Sequence, residues 1–469
     1  MLQQPTTLLS LPDELLVRIF DNLVEEFWTV KVHSLLPSMF VCRRIRNVAQ
    51  AALYRESLVG TARNAAPDFE GAVKENPSLG QLVDTLTVCG SAKPPVFDPD
   101  RVQALTSALS NLKELILCAV TTEEATLILT ALPSTSLRRL HLRFTHIHTS
   151  FQWRDMLVYV ARFSELRMLS CQIWPSEAEP APRVTAHLGQ HIVPLQLVEL
   201  RIPDYVLIEL FGTAGLLWRR LPNLRILLIK ISGFGNASAI TVVLSGAPSS
   251  LKTLSLCSDV STSEHPRQYL PTSPALHDLT GLYLAPGTFT EADLLAYLPM
   301  ASLESITFGC YASVTDRILQ ALTGPARPLQ LRRICLDHVW SPESLRHSLE
   351  ICLSRGETAE DIRRRLRPKL PDGGSEQGLR LALAAANANG IQVTGSALNC
   401  FTWDAAFDKV LSDFMMEQAH ATDNYGDVIA RFGEEVAVAW LERNAPNTVS
   451  LFHAQYMGDF ELDDDGVPE

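Results

Sequence analysis

LRRLHLRF, residues 137–144, alternates apolar and polar side chains at strand spacing, and its skeleton returns along most of the chain. That skeleton, LxxLxL, starts at Val83, Leu112, Leu137, Leu166, Leu197, Leu224, Leu251, Leu279, Leu303 and Leu331. Successive starts lie 24 to 31 residues apart. All thirty skeleton positions are apolar, and the fourth of each set is Leu except at Ile306 and Ile334. Period-2 alternation buries one face of a short strand. A unit of this length cannot bury its own apolar edge, so stacking of neighbours must make the core.

A repeat of 20–29 residues built on LxxLxL is the signature of a leucine-rich-repeat solenoid. The expected class is α/β, with parallel strands on the concave face and helices and loops on the convex face. The segments between strands carry helix signals. Thr121-Thr122-Glu123-Glu124 caps Ala125–Leu132, and Thr290 with Asp293 caps Leu294–Leu298. Ser341-Pro342-Glu343 opens a helix after the tenth strand. Pro133-Ser134, Pro222, Pro248-Ser249 and Pro299 close helices before the next strand. Residues 174–186 and 258–275 are rich in Pro, Ser and Glu and read as loops. Beyond the tenth repeat the sequence predicts helices over Glu343–Leu353 and Thr358–Leu366, then a loop over Pro368–Gly378. A helix over Leu379–Asn389 ends at Gly390, and Ile391–Gly395 reads as an eleventh, capping strand. The solenoid thus spans residues 83–395, about ten repeats plus a cap.

The N-terminal segment has a different period. In LPDELLVRIF (Leu11–Phe20), Ser10 and Asp13 make a capping box and Pro12 suits the first turn. Leu11, Leu15, Leu16, Ile19, Phe20 and Leu23 recur on one helical face. A second helix carries Leu35, Leu36, Met39, Phe40 and Val41 and runs on through Ile45, Val48, Ala49 and Ala52. So short a segment cannot bury that much apolar surface within itself, which leaves some for a partner. This segment resembles the F-box, the adaptor-binding module of SCF-type ubiquitin ligases. Leu11-Pro12, Glu14-Leu15-Leu16 and Ile19-Phe20 match the family's LPxELLxxIF helix. Leu35-Leu36 followed by Val41-Cys42-Arg43 matches its LLxxxxVC(K/R) spacing, and Ala49–Glu56 is similar to the tail of fungal members. The segment departs from the family at Ile45, where Trp is usual, and in a longer loop from Leu23 to Leu35. The resulting organisation is a three-helix F-box over 8–56, a linker and N-terminal cap over 57–82, and then the repeats. Within that linker, residues 60–67 are a connector and Asp68–Leu79 a capping helix.

The resemblance implies a Skp-type adaptor as partner, and through it cullin and RING subunits. Its contact residues would be Leu11, Pro12, Leu15, Leu16, Ile19, Phe20, Leu35, Leu36, Val41, Cys42 and Ile45. It further implies the substrate-recognition subunit of an SCF-type E3 ubiquitin ligase in ubiquitin-dependent protein degradation, with no chemistry of its own. A non-catalytic interaction scaffold outside ubiquitin ligation is the open alternative. On each strand the third, fifth and seventh positions point away from the core. They place Arg139, His141, Arg143, Glu199, Arg201, Leu228, Lys230 and Tyr283, with Arg333 and Asp337, on the expected substrate-binding face. Arginine clusters suit acidic or phosphorylated segments.

Charge marks one more boundary. Residues 401–469 hold 15 Asp/Glu against 3 Lys/Arg, which accounts for the whole net charge of −12. Residues 396–469 therefore read as an acidic helical C-terminal segment. It is rich in aromatics, unlike a free tail, so Phe407, Val410, Leu411 and Phe414 are expected to dock on the end of the array. The acids would lie near Arg363–Lys369, a run that serves equally as a nuclear localisation patch or as a solvated helix face.

No enzyme is expected. Gly233–Ser238 lacks the final Gly/Ala of a dinucleotide loop, and there is no GxSxG, Walker lysine motif or HExxH. His141, His146 and His148 have no acidic or Cys ligands at metal spacing, so neither metal nor cofactor is called for. Nine cysteines without CxxC suit a reducing cytoplasm or nucleus. No stretch reads as a leader or membrane span, and neither membrane nor nucleic acid is expected as a partner.

Overall fold

The structure is a computed structural model that describes residues 11–22, 35, 37–60, 69–90, 99–133, 136–144, 153–173, 196–211, 218–231, 237–258, 269–270, 276–309, 312–337, 346, 349, 358–366 and 373–413. The chain divides into two compact units, Met1–Leu303 and Glu304–Glu469.

The first unit holds nine strands among its described residues. They are β1 (Glu56–Gly60), β2 (Thr85–Cys89), β3 (Glu114–Val120), β4 (Arg139–Phe144), β5 (Met168–Ile173), β6 (Glu199–Pro203), β7 (Ile226–Ile231), β8 (Thr253–Ser258) and β9 (Gly281–Leu284). Each pairs in parallel with its neighbour in sequence. The second unit has β10 (Ser305–Phe308), β11 (Arg333–Leu336) and β12 (Gln392–Thr394), parallel in that order. The pattern is that of strand–helix repeats stacked side by side, a solenoid.

The skeleton read from sequence is the core. All thirty positions are at most 4% exposed, from Val83 through Leu336. On β7, Leu227, Ile229 and Ile231 are buried while Ile226, Leu228 and Lys230 face the open side. Adjacent repeats are stitched at the entry to each strand. The Asp84 carbonyl accepts from the amides of both Lys113 and Glu114, at 2.8 and 2.9 Å. The same double acceptance recurs at Lys113, Arg138, Arg167, Val198, Arg225 and Lys252, and within the second unit at Glu304. Backbone donors that would be orphaned at a strand start are satisfied once per repeat.

The helix signals act as read. Thr121 and Glu124 form a reciprocal capping box on the helix Thr122–Ala131. Thr290 accepts from the Asp293 amide on Glu291–Tyr297, and Thr358 does the same for Asp361 on Ala359–Leu366. The expected capping helix is Phe69–Glu75 followed by a 3-10 segment, Pro77–Leu82. Glu376–Ala388 ends before Gly390, whose φ is +68°. The capping box at Ser10, the connector 60–67 apart from Gly60, and the loop 174–186 lie outside the described residues. So do most of the loop 258–275, Pro368–Gly378 up to residue 372, and all but Arg346 and Leu349 of Glu343–Leu353.

Two expectations are corrected. The segment beginning at residue 57 is not merely linker, because Glu56–Gly60 is a strand in register with β2, so the sheet begins one strand early. The second N-terminal helix is not continuous. Pro37–Phe40 is a 3-10 turn, and Cys42 has extended backbone angles (φ −160°, ψ 168°) as the cap of a new helix, Arg43–Arg55. Its Sγ accepts from the Ile45 amide at 3.5 Å, a role usually taken by Ser or Asp.

In the second unit, the described start of the acidic segment is docked. Residues 403–413 are helical. Trp403 and Phe407 pack with Leu349 and Ile362 into one apolar cluster, flanked by Val410 and Leu411. Trp403 Nε1 donates to the Arg363 carbonyl at 3.3 Å, and the Arg363 guanidinium pairs with Asp408 and lies 5.1 Å from the centre of the Phe407 ring. Phe414 lies outside the described residues.

Candidate functional site

Two surfaces draw attention, and the helical module at the N-terminus is the first. Asp13–Asn22 packs on Arg43–Arg55, and Leu16, Phe20, Leu35, Ile45, Val48, Ala49, Ala52 and Leu53 form their shared core. Four of the residues expected at an adaptor contact, Leu16, Phe20, Leu35 and Ile45, are therefore committed to the chain's own interior. Leu11, Ile19 and Cys42 are half-buried. Pro12, Leu15 and Val41 stand in solvent, the last two 44% and 66% exposed. Leu36 lies outside the described residues. Phe40 was placed on the helix by its spacing but not among the contact residues, yet it is 76% exposed. The break at Val41-Cys42 is what turns it outward; nothing in the spacing of Met39, Phe40 and Val41 signals that break.

Contacts of Arg44 join the two segments that carry these apolar side chains. Arg44 Nε donates to Asp13 Oδ1 at 2.8 Å, and Arg44 Nη2 reaches the Leu11 carbonyl. That ties the first turn of Asp13–Asn22, which carries Leu15, to the segment that follows Val41.

The second surface is the open side of the strands. Register sets three rows. Glu114, Arg139, Met168 and Glu199 share the first. His141, Ser170, Arg201, Leu228, Ser255 and Tyr283 share the second. Arg143 lies in the third beside Cys118, and Lys230 in the corresponding row beside Cys257. The eight of the ten expected residues that belong to the first unit lie in these rows, with neighbouring strands about 4.8 Å apart, while Arg333 and Asp337 belong to the second unit.

The face is less basic than its arginines suggest. Glu114 pairs with Arg139 at 3.2 Å and with His141 at 3.0 Å. Glu199 pairs with Arg201 at 2.5 Å. Burial pushes the His141 imidazole down from its ordinary value, against Glu114, which pushes it up. Arg143 instead faces sulfur, with Nη1 4.0 Å from Cys118 Sγ. Glu114 was the missed member; its signal was its third position in the preceding repeat, one strand from Arg139.

No described group of three His, Cys, Asp or Glu side chains is arranged to hold a metal ion. No described helix is long and apolar enough to cross a membrane.

No known family model and no curated protein sequence matches this chain. Among solved structures it is similar to one described as the complex of Rad7 and Elc1 in yeast. The identity there is 14% over 69% of this chain and 88% of that one, with a TM-score of 0.36. A protein from Bacteroides fragilis is 11% identical over 71% of this chain and 72% of that one, with a TM-score of 0.30. At these TM-scores neither likeness carries weight for function.

Proposed function

We propose that this chain is a protein-recognition subunit with two docking surfaces, and that its partner at the helical module is a Skp-type adaptor. The observation that supports this reading best is the solvent-facing set Leu15, Phe40 and Val41 beside the Asp13–Arg44 pair. Isolated apolar side chains on a surface need no explanation, but several on two joined segments of a small helical unit mark an interaction site. Leu15 and Val41 fall within the LPxELL and VCR matches that carry the F-box resemblance, and Phe40 directly precedes the second. The strand face, with its charged side chains around Leu228, would then hold a protein substrate, and the adaptor would bring cullin and RING subunits. The chain would contribute proximity and no bond chemistry. Its product would be ubiquitin transfer to the bound substrate and degradation.

The test is affinity purification of the full chain with and without proteasome inhibition. A substrate receptor is expected to retain the adaptor in both conditions and to gain bound substrate when degradation stops. Adaptor retained with an unchanged set of other partners would favour the scaffold reading. Loss of the adaptor in both conditions would remove the F-box assignment.

A further inference from the structure

Strand β2 ends on Cys89, and its neighbour β3 carries Cys118 two residues before its own end. Cys89 and Cys118 are register partners, and Cys118 is in turn the partner of Arg143 on β4. All three are half-buried on the open side of the sheet, and both thiols are reduced. Paired strands hold such residues with Cα atoms about 4.8 Å apart, inside the roughly 4.4–6.8 Å that a disulfide spans.

The surroundings distinguish the two sulfurs. A hydrogen bond from Cys89 and, after it, the Arg143 guanidinium together lower the Cys118 thiol to about 6 against the opposing effect of burial. The same hydrogen bond pushes Cys89 up. The backbone is unusual at the same point. The register shifts between Cys118 and Val120, and Ala119 sits at φ +55°. The Gly90 amide donates to the Cys118 carbonyl at 2.8 Å. A Cβ at position 90 would lie 2.2 Å from the Ala119 carbonyl oxygen, so this close approach needs glycine. A bulge and a left-handed alanine locally fix where the Cys118 side chain is aimed, and such strain persists only where the surroundings hold it.

We propose that Cys118 and Cys89 are a peroxide-reactive dithiol, with Cys118 the attacking thiolate and Cys89 the resolving thiol. The Cys118 thiolate attacks one oxygen of hydrogen peroxide, the O–O bond breaks, and hydroxide leaves to be protonated by solvent. Cys118 is then a sulfenic acid, oxidised by two electrons, and the peroxide is reduced. Cys89, its proton given to solvent, attacks the Cys118 sulfur; the S–O bond breaks and hydroxide leaves as water. Two thiols and one peroxide become one disulfide and two waters. The product is neutral, so oxidation removes the anion beside Arg143. This chemistry is independent of what binds the open face.

Other thiols of the same chain supply the reference. Cys171 is buried in the core and Cys335 is half-buried, and burial pushes both thiols up. The full-length wild-type chain is treated with graded hydrogen peroxide, alkylated under denaturing conditions and mapped by peptide mass spectrometry. A Cys89–Cys118 linkage is expected, forming about tenfold or more faster than oxidation at Cys171 or Cys335. Cys89→Ser is expected to accumulate sulfenic acid at Cys118, trapped by dimedone, and Arg143→Gln to slow its formation several-fold. Equal oxidation rates at Cys118, Cys171 and Cys335 in the wild type would overturn the proposal, as would a linkage of Cys118 to any other cysteine. Because the decisive map is of the wild-type chain, no variant has to fold for it to be read.

Discussion

Arg44 holds Asp13. The two lie 31 residues apart in sequence, on different helices, with Arg44 Nε 2.8 Å from Asp13 Oδ1. Both side chains are well exposed, so the ion pair itself contributes at most about 1 kcal/mol. Its importance is positional, since it sets the turn that carries Leu15 against the segment that carries Val41. Asp13→Ala is therefore expected to leave the melting temperature almost unchanged while weakening adaptor capture. Equal adaptor binding by wild type and variant, measured by titration, would show that the pair has no positioning role.

Leu15→Asp combined with Val41→Asp is expected to abolish adaptor co-purification. Both side chains are exposed in the free chain, so the fold should tolerate the charges. In a desolvated interface the same charges would cost several kcal/mol. Leu16→Asp is the contrasting variant: that position is fully buried, and the helical module should unfold. Circular dichroism melts separate the two cases, and adaptor binding that survives the double change would place the contact elsewhere.

Leu227 and Leu228 are neighbours on β7 that face opposite sides. Leu227→Ala empties a fully buried position and should destabilise the array by about 2–5 kcal/mol. Leu228→Ala should cost far less stability while altering any partner held by the open face. Chemical denaturation of both variants checks the assignment of faces, because the reverse order would mean that the strand register is off by one.

His141 gives the open face a pH dependence. Its folded-state pKa is lowered by burial, so the unfolded chain takes up the proton first as pH falls. Its contribution to stability is therefore full above the ordinary imidazole value of 6.5 and declines as pH drops from there towards the depressed folded value. Stability curves between pH 8 and pH 5 should flatten in His141→Gln relative to wild type. NMR titration of the His141 ring showing a raised pKa would reverse the sign and the conclusion.

Phe407 is fully buried against Ile362 and Trp403. Phe407→Ala is expected to cost about 3–5 kcal/mol locally. Limited proteolysis should then cut near residues 403–413, where the wild type resists. Equal resistance in both would mean that the helix is held by something other than this cluster.

The repeats were legible because each strand carries the same alternation, and neighbours in a parallel ladder reinforce one another's register. Thus all thirty skeleton positions proved buried. Strand β1 was not legible: Glu56-Ser-Leu-Val-Gly60 has no LxxLxL lead, and only its pairing with β2 makes it a strand. Nor was the break at Val41-Cys42, where apolar spacing runs on unbroken and a cysteine serves as the cap. The open face was legible residue by residue but not in its balance. The ion pairs from Glu114 to Arg139 and His141 cross between repeats, and a scan for basic residues alone passes over the carboxylate that answers them.

The helix Arg43–Arg55 passes into β1 without an intervening residue, since its C-cap, Glu56, is the first residue of the strand. The Asp84 amide donates to the Arg55 carbonyl at 2.9 Å and locks the junction to the entry of β2. There is no swivel at this point. The helix is a shaft keyed into the sheet, so torque on the helical module is carried to the strands rather than absorbed in a tether. A partner gripped at Leu15 and one gripped at Leu228 would be held at a set distance and angle. The encounter of anything they carry would follow from that fixed span, not from the statistics of a flexible linker.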